Sequence, residues 1–328
     1  MLGFQQVAVY GDPVCQNNSA VSGDAPAATQ VAKFMQSAAT FNSREEQETL
    51  LHTVREAYME IFPTGSIESR LDVLEPQSYV AVTCSPTKGV DVTLDMVERL
   101  SHRGFKLVPH IAAKMVRDRN HLLEILKRLD DLPVTSIFVP GGDAERPVGE
   151  FSRALDLLRA ISEHDHKFTE IGVAAHPEGH PSVGQDELTA QLMQKQEFAN
   201  YLVTQMCFDV DALTTWFRGV REQGITLPAW IGLPGVSDRG TLIKTSLRIG
   251  VGDSIRYLKN RGKIAAELLK TSSYRPDDLL LDLAPYIADP LYKIAGHHIY
   301  CFNQVERTER WRLDFLDKFK IEDTAVQQ

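Results

Sequence analysis

A glutamate within an apolar segment is the first residue of this sequence that could perform acid–base chemistry. Glu60 stands in the run 59–63 (MEIFP). Burying a carboxylate disfavours its charged form and raises its pKa, which suits a general acid working near neutral pH. The alternative is a structural glutamate paired with a lysine or arginine in the core. Both interpretations require that Glu60 lie on a buried strand.

Two further segments combine loop-forming residues with polar side chains. Residues 139–143 (VPGGD) lead from an apolar run into two glycines and Asp143, so a ligand could approach the backbone beside a carboxylate. The alternative is an ordinary turn in which Asp143 caps the next helix. Residues 174–181 (AAHPEGHP) hold two His-Pro pairs around a glutamate and cannot easily extend a strand or begin a helix. This second loop is expected to be rigid and polar.

Three histidines raise the alternative of a metal-dependent barrel hydrolase. His110, His176 and His180 could act together, because histidine and glutamate are good zinc ligands. Such hydrolases usually carry a His-x-His sequence at the end of the first strand, where this chain has residues 60–62 (EIF). The prediction is therefore that no metal is bound.

The elements that must position these residues follow a regular alternation. Short apolar runs typical of strands are separated by longer amphipathic stretches typical of helices. The predicted strands are 57–61, 79–84, 106–111, 134–139, 170–175, 201–207, 228–233 and 297–302. Helical patterns cover 93–103, 119–130, 149–163, 186–199 and 210–223, and further helices are expected from about 239 to 287. This series predicts an α/β fold, either a closed (β/α)8 TIM barrel or an open doubly wound sheet.

Polar residues at the strand ends favour the barrel. Functional groups ring the carboxyl ends of barrel strands, whereas an open sheet gathers them at one switch point. No G-x-G-x-x-G sequence follows the first predicted strand. In the adjacent pair His297 and His298, one side chain is expected to point inward and one outward, without a role in chemistry. The residues expected around the barrel mouth are Glu60, Thr83, His110, Asp143, His176, Gln205 and Asn303.

Length and composition are compatible with one barrel domain. The chain has 328 residues, of which 43% are hydrophobic, enough for a sizeable core. We predict an N-terminal leader over 1–43, a catalytic barrel over 44–320 and a C-terminal tail over 321–328. Ser43 followed by Glu46 predicts a capping box at the start of the first barrel helix.

Charge and cysteine usage exclude several classes of protein. A net charge of −9 disfavours nucleic acid as a partner. Four scattered cysteines, Cys15, Cys84, Cys207 and Cys301, form no C-x-x-C pair and suit a reducing cytoplasm. The sequence shows neither a membrane span nor a secretory signal. We therefore expect a cytoplasmic enzyme with a small-molecule substrate, which could form a homo-oligomer.

The ordered motifs resemble the methylenetetrahydrofolate reductase family. The similarity extends from about residue 55 to 305, and its most specific parts are the loop 176–181 (HPEGHP) and the strand end 204–209 (TQMCFD). The resemblance implies a flavin-containing (β/α)8 barrel that uses FAD and NAD(P)H. Such an enzyme interconverts 5,10-methylenetetrahydrofolate and 5-methyltetrahydrofolate by hydride transfer.

The resemblance also implies roles for individual residues. Glu60 would protonate the folate nitrogen and open the five-membered ring. Asp143 would lie between flavin and pterin, and Gln205 would hydrogen-bond the pterin. Arg239 and Gln304 would contact the substrate. The positions that would hold the flavin are Thr83, His110, Asp143, Ala175, His176, His180 and Lys195.

Several positions depart from the family pattern. Gly141 replaces an arginine that grips the flavin phosphates, and Lys195 is the main family residue left on the helix 186–199. Arg239 replaces an aromatic residue, and Gln304 replaces an arginine. These changes keep open a flavin-free enzyme with direct hydride transfer from NAD(P)H. They also suggest that the enzyme runs in the direction of 5-methyltetrahydrofolate oxidation. A non-catalytic folate- or flavin-binding protein is a third class, which retention of Glu60, Asp143 and Gln205 disfavours.

Overall fold

Eight parallel strands form a barrel in the computed structural model, which describes residues 40–238, 240, 242 and 273–321. The barrel strands are β1 (Tyr58–Ile61), β2 (Tyr79–Val82), β3 (Lys106–Pro109), β4 (Ser136–Val139), β5 (Glu170–Ala175), β6 (Tyr201–Thr204), β7 (Ala229–Pro234) and β10 (Ile294–Tyr300). A two-stranded antiparallel ribbon, β8 (Ser237–Asp238) and β9 (Ser273–Tyr274), follows β7. The strand order is β3-β2-β1-β10-β7-β6-β5-β4. A parallel bridge between His110 and Phe138 joins the two outer strands, so the sheet closes on itself as the TIM-barrel prediction requires.

Helices cover the outside of the barrel. They are α1 (Arg44–Arg55), α2 (Ile67–Arg70), α3 (Gly89–Leu100), α4 (Arg119–Asp130), α5 (Ala154–Ser162), α6 (Gln185–Lys195), α7 (Val210–Glu222), α8 (Asp277–Ala288) and α9 (Val305–Lys318). Side-chain caps fix several of the starts. Asp118 accepts a hydrogen bond from the backbone of His121 at 2.8 Å, and Asp209 accepts one from that of Asp211 at 2.9 Å. No helix in the described part of the chain is long and apolar enough to cross a bilayer.

Most predicted elements are confirmed, with shifted ends. The last barrel strand begins at Ile294 rather than residue 297, because Ile294 already pairs with Ala229. Helix α5 begins at Ala154, not at residue 149. The backbone at residue 149 lies against the Arg117 carbonyl, and the Glu150 amide donates to that oxygen at 2.9 Å. Of the predicted leader and tail, only residues 40–43 and 321 fall within the described residues. The helices expected between 239 and 272 lie outside them.

The two faces of each strand have different partners. On β1, Met59 and Ile61 belong to the core beneath the helices, whereas Tyr58 belongs to a separate cluster inside the barrel. Tyr58 stacks on Tyr79 with ring centroids 4.4 Å apart. The Tyr201 ring occupies the space that a side chain at Gly172 would need, since a Cβ there would lie 2.3 Å from the ring. Aromatic rings therefore fill the barrel on the N-terminal side of Glu60.

Candidate active site

A buried group of one carboxylate and two imidazoles lies inside the barrel. Glu60 comes from β1 and His298 from β10, while His110 directly follows β3. Glu60 Oε2 lies 2.9 Å from His298 Nε2, and the two side chains are only 9% and 2% exposed. One ligand atom from each of the three residues lies within 4.8 Å of the other two. These strands carry all three groups to the same level of the barrel interior.

Tyr300 connects this group with Asp143. The Tyr300 hydroxyl donates to the Thr204 carbonyl at 3.2 Å. Burial, followed by the charges of Glu60 and then Asp143, raises the pKa of this phenol well above its usual value. The charges of both predicted catalytic carboxylates therefore reach Tyr300, which indicates that they lie at the same end of the barrel.

The loop after β4 holds Asp143 at the barrel mouth. Gly142 has a φ of 93°, and a Cβ at this position would lie 3.1 Å from the Ala112 Cβ. Backbone amides after β3 donate to the carbonyls of Pro140 and Gly141, each at 3.0 Å. Asp143 itself is exposed. The alternative in which Asp143 caps the next helix is wrong, because α5 begins at Ala154.

The ends of β5 and β6 contribute a second polar group. The rings of His176 and His180 meet edge to face, with centroids 5.2 Å apart. Burial lowers the pKa of Lys195 to about 8, and its Nζ donates to the Ala174 carbonyl at 2.8 Å. Burial, then Lys195 and His180, lower the pKa of His176 to about 4, so this imidazole is neutral near pH 7.

Gln205 is fixed at the edge of this second group. Its backbone amide donates to the Ala175 carbonyl at 2.8 Å, which continues the β5–β6 pairing by one step. Its side-chain Oε1 accepts a hydrogen bond from the Met206 amide at 2.9 Å. The side chain is only partly buried, so its amide group can still meet a ligand in the barrel mouth.

Two buried polar atoms at the mouth lack protein partners. Thr83 Oγ1 and His110 Nε2 make no hydrogen bond to any described residue. Burial, followed by the charge of His298, lowers the pKa of His110 well below its usual value, so the ring is neutral. Unpaired buried polar atoms are costly and are normally satisfied by a partner. Thr83 and His110 can therefore bind a ligand, and the resemblance assigns both positions to the flavin.

One functional position was not assigned from the sequence. His298 points inward to Glu60, while His297 points outward, where its Nε2 lies 3.2 Å from Thr53 Oγ1 on α1. The expected alternation is confirmed, but His298 lies in the site rather than being without chemistry. Strand alternation predicted that one of the two histidines would point inward, but neither which one nor its distant partner. Asn303, which was expected at the barrel mouth, accepts a hydrogen bond from the Phe62 amide at 2.8 Å and so holds the segment after Glu60.

The remaining predicted residues do not join these groups. Arg239 lies outside the described residues. Gln304 precedes α9, and its amide donates to the Cys301 carbonyl at 2.7 Å. His176 and His180 do not form a ligand group with His110. Within the described ranges, the metal-ligating side chains that gather around His110 are those of Glu60 and His298.

Comparisons with known proteins point to one family. The family model described as methylenetetrahydrofolate reductase matches residues 64–243. "Methylenetetrahydrofolate reductase 1" of Schizosaccharomyces pombe is 34% identical over 134 residues, covering 38% of this chain and 22% of that protein. "Methylenetetrahydrofolate reductase 2" of Saccharomyces cerevisiae is 35% identical over 197 residues, covering 57% of this chain and 32% of that protein.

A nematode protein matches in the same way. The Caenorhabditis elegans protein named "Probable methylenetetrahydrofolate reductase (NADPH)" is 29% identical over 174 residues, covering 52% of this chain and 24% of that protein. In all three relatives the matched segment spans less than one third of the relative's length.

Proposed function

The chain belongs to the methylenetetrahydrofolate reductase family, and on that premise we propose that it interconverts 5,10-methylenetetrahydrofolate and 5-methyltetrahydrofolate by hydride transfer. The observation that carries this proposal is the buried Glu60–His298 pair, which lies at the same end of the barrel as Asp143, since the charges of Glu60 and Asp143 both raise the pKa of Tyr300. An acid in an apolar setting and a second carboxylate nearby are the groups that this chemistry needs. The cysteine pattern keeps a cytoplasmic location as a prediction.

Glu60 is the proton donor in this proposal. The aromatic rings on its N-terminal side exclude water from below, and His298 holds one carboxyl oxygen. The other oxygen can present a proton to the folate nitrogen, which opens the five-membered ring. Gln205 then orients the pterin with its amide group, and the charge of Asp143 stabilises positive charge that develops on the ring system.

The described residues fit a flavin ring. Thr83 and His110 offer the unpartnered buried atoms, and His176 with His180 offers flat imidazole surfaces beside the small Ala175. A bound FAD would supply the hydride carrier between NAD(P)H and the folate. Gly141 and the internally bonded Lys195 offer little grip on a diphosphate. This observation favours direct transfer from NAD(P)H as the second candidate.

We also propose that the reaction runs as 5-methyltetrahydrofolate oxidation, because Arg239 and Gln304 replace family residues on the nicotinamide and folate side. The purified protein should be examined by visible absorption and then mixed anaerobically with NADH or with 5-methyltetrahydrofolate. Faster bleaching of a flavin spectrum by the folate supports oxidation. Fast NADH-driven reduction of methylene folate contradicts that direction. A colourless but active protein supports direct transfer.

Replacing the proposed acid gives the sharpest test of the chemistry. Glu60→Gln keeps the size of the side chain but removes its proton, so we expect kcat to fall by about 10²–10⁴-fold with folate binding retained. Turnover would be measured at saturating folate, and binding by isothermal titration. Glu56→Gln, at an exposed position four residues earlier, is the matched control and should behave as wild type. Unchanged kcat in Glu60→Gln removes Glu60 as the acid.

A further inference from the structure

The Glu60–His110–His298 group has the composition of a metal site. Two imidazole nitrogens and one carboxylate oxygen are ligands that zinc and similar divalent cations accept. The three side chains are buried, at 8%, 5% and 2% exposure. They come from separate parts of the sequence and meet only because the barrel closes. The sequence-based metal alternative used His110 with a different pair of histidines.

The spacing of the three groups suits a single cation. Zinc–nitrogen bonds of about 2.0–2.1 Å set tetrahedral ligands roughly 3.3 Å apart. Glu60 Oε2 and His298 Nε2 are already 2.9 Å apart, and every pair of ligand atoms lies within 4.8 Å. Coordination of one cation requires the third group to move closer than this upper limit.

The hydrogen bonding of His110 supports the same conclusion. Its buried Nε2 has no hydrogen-bond partner in the part of the chain that the structure describes. An ordinary hydrogen bond between Glu60 and His298 would account for these two residues, but it leaves His110 Nε2 without a partner. A cation shared by all three residues would satisfy it.

We propose that Glu60, His110 and His298 form a binding site for one divalent transition-metal cation of the zinc class, and that cation binding withholds Glu60 from proton donation. The claim that cation binding withholds Glu60 from proton donation rests on the proposed function. A water molecule would complete the tetrahedral coordination of such a cation. His110 cannot use one nitrogen for both a cation and a cofactor, so the two compete at this residue.

Metal binding is tested on the full chain, without a polyhistidine tag and after treatment with a chelator. Titration with Zn²⁺ by calorimetry, and with Co²⁺ by visible absorption, should show one cation per chain. His110→Gln and His298→Gln should each weaken binding by about tenfold or more. His102→Gln removes an exposed histidine and should leave binding unchanged. No binding by wild type, or equal binding by all variants, overturns the site.

Two more readouts separate the site from the reaction. Zn²⁺ should raise the thermal midpoint of wild type and of His102→Gln but not of His298→Gln, because only a cation bound to the folded state stabilises it. In wild type, Zn²⁺ should lower folate turnover and a chelator should restore it. If the cation binds but folate turnover is undiminished, the claim that cation binding withholds Glu60 from proton donation is overturned. A bound cation in a protein without folate turnover supports the site and contradicts the proposed function.

Discussion

Burial sets the charge of the polar side chains around the barrel mouth. Lys195 is 8% exposed, and its pKa falls to about 8 because the charged ammonium loses water. His176 lies close enough to feel that charge, and its pKa falls to about 4. Near neutral pH His176 is therefore uncharged, while Lys195 still carries most of its positive charge. A ligand that meets His176 meets a neutral, flat ring.

Lys195 should make stability depend on pH in the alkaline range. Its pKa is about 8 in the folded protein, against an ordinary lysine value of 10.5, so between these values the unfolded state binds more protons. The free energy of unfolding should therefore rise with pH across this window, by up to about 3 kcal/mol. Lys195→Met should remove this rise and be more stable than wild type at pH 7.

Urea unfolding at several pH values between 7 and 10.5 measures this effect. Lys127→Met, at an exposed position on α4, is the control and should keep the pH dependence of wild type. A difference in unfolding free energy between wild type and Lys195→Met that stays constant with pH would show that burial does not lower the pKa of Lys195.

At the residue scale, the sequence identified side chains that could do chemistry but not the distant residues that they contact. Glu60 and Asp143 were predicted because one carboxylate stood within an apolar run and the other directly after one, and the charges of both raise the pKa of Tyr300. The partner of Glu60 was not predictable in this way, since His298 is 238 residues away. Only the closure of the barrel determines which of many inward-facing side chains meet.

At the scale of elements, the turn from β10 into α9 secures the end of β1. Phe302 and Asn303 have φ values of 51° and 61°, in the left-handed region that ends a strand abruptly. Asn303 then bonds both the amide and the carbonyl of Phe62, at 2.8 and 3.1 Å. Arg70 donates to the Asn303 carbonyl at 2.9 Å. The segment that follows Glu60 is thereby tied to the strand that carries His298.

Replacing Asn303 should loosen this connection. Asn303→Gly keeps access to the left-handed region but loses the side-chain bonds to Phe62, so we expect a loss of about 1–3 kcal/mol in unfolding free energy. Asn303→Asp keeps the acceptor for the Phe62 amide and should lose less. Denaturant unfolding of the two variants beside wild type provides the comparison. Equal stability of all three proteins would mean that the turn does not depend on these bonds.

Element boundaries were predictable where local chemistry decides them. Helix α4 occupies the predicted 119–130, because Asp118 caps its first turn. Ser43 likewise accepts from the Glu46 amide at 3.0 Å, but the Glu46 carboxylate binds Asn42 instead of completing the capping box. The start of α5 could not be predicted, since residues 149 and 150 are held by the distant Arg117 carbonyl. Contacts remote in sequence override the local pattern there.

Across the whole molecule, the first and last described helices join at one side of the barrel. Gln47 on α1 donates to the Phe319 carbonyl after α9 at 2.8 Å, and Arg312 on α9 donates to the Arg55 carbonyl at 2.8 Å. Phe41 meets Phe319 with ring centroids 5.6 Å apart. The alternation of strands and helices predicted the barrel itself. The local sequence at Ser43 predicted where α1 begins but not what it packs against, because the partners of this helix lie near the other end of the chain.

Two N-terminal truncations test where the barrel domain begins. Removing residues 1–39 should leave the thermal midpoint unchanged, because all eight barrel strands begin at or after Tyr58. Removing residues 1–57 also deletes α1, whose Leu50, Leu51 and Val54 are buried at 0%, 5% and 1% exposure. Three such side chains contribute about 5–9 kcal/mol, which is comparable with the whole stability of a domain.

We therefore expect the longer deletion to unfold, and the comparison would be made by thermal circular dichroism. In the full chain, Leu50→Ala should cost about 2–5 kcal/mol. Leu123→Ala, at a side chain that is 45% exposed, should cost far less and is the matched control. A cooperative transition at the wild-type midpoint after deletion of 1–57 would show that α1 is not part of the folding unit. A lowered midpoint after deletion of 1–39 would instead extend the domain into the leader.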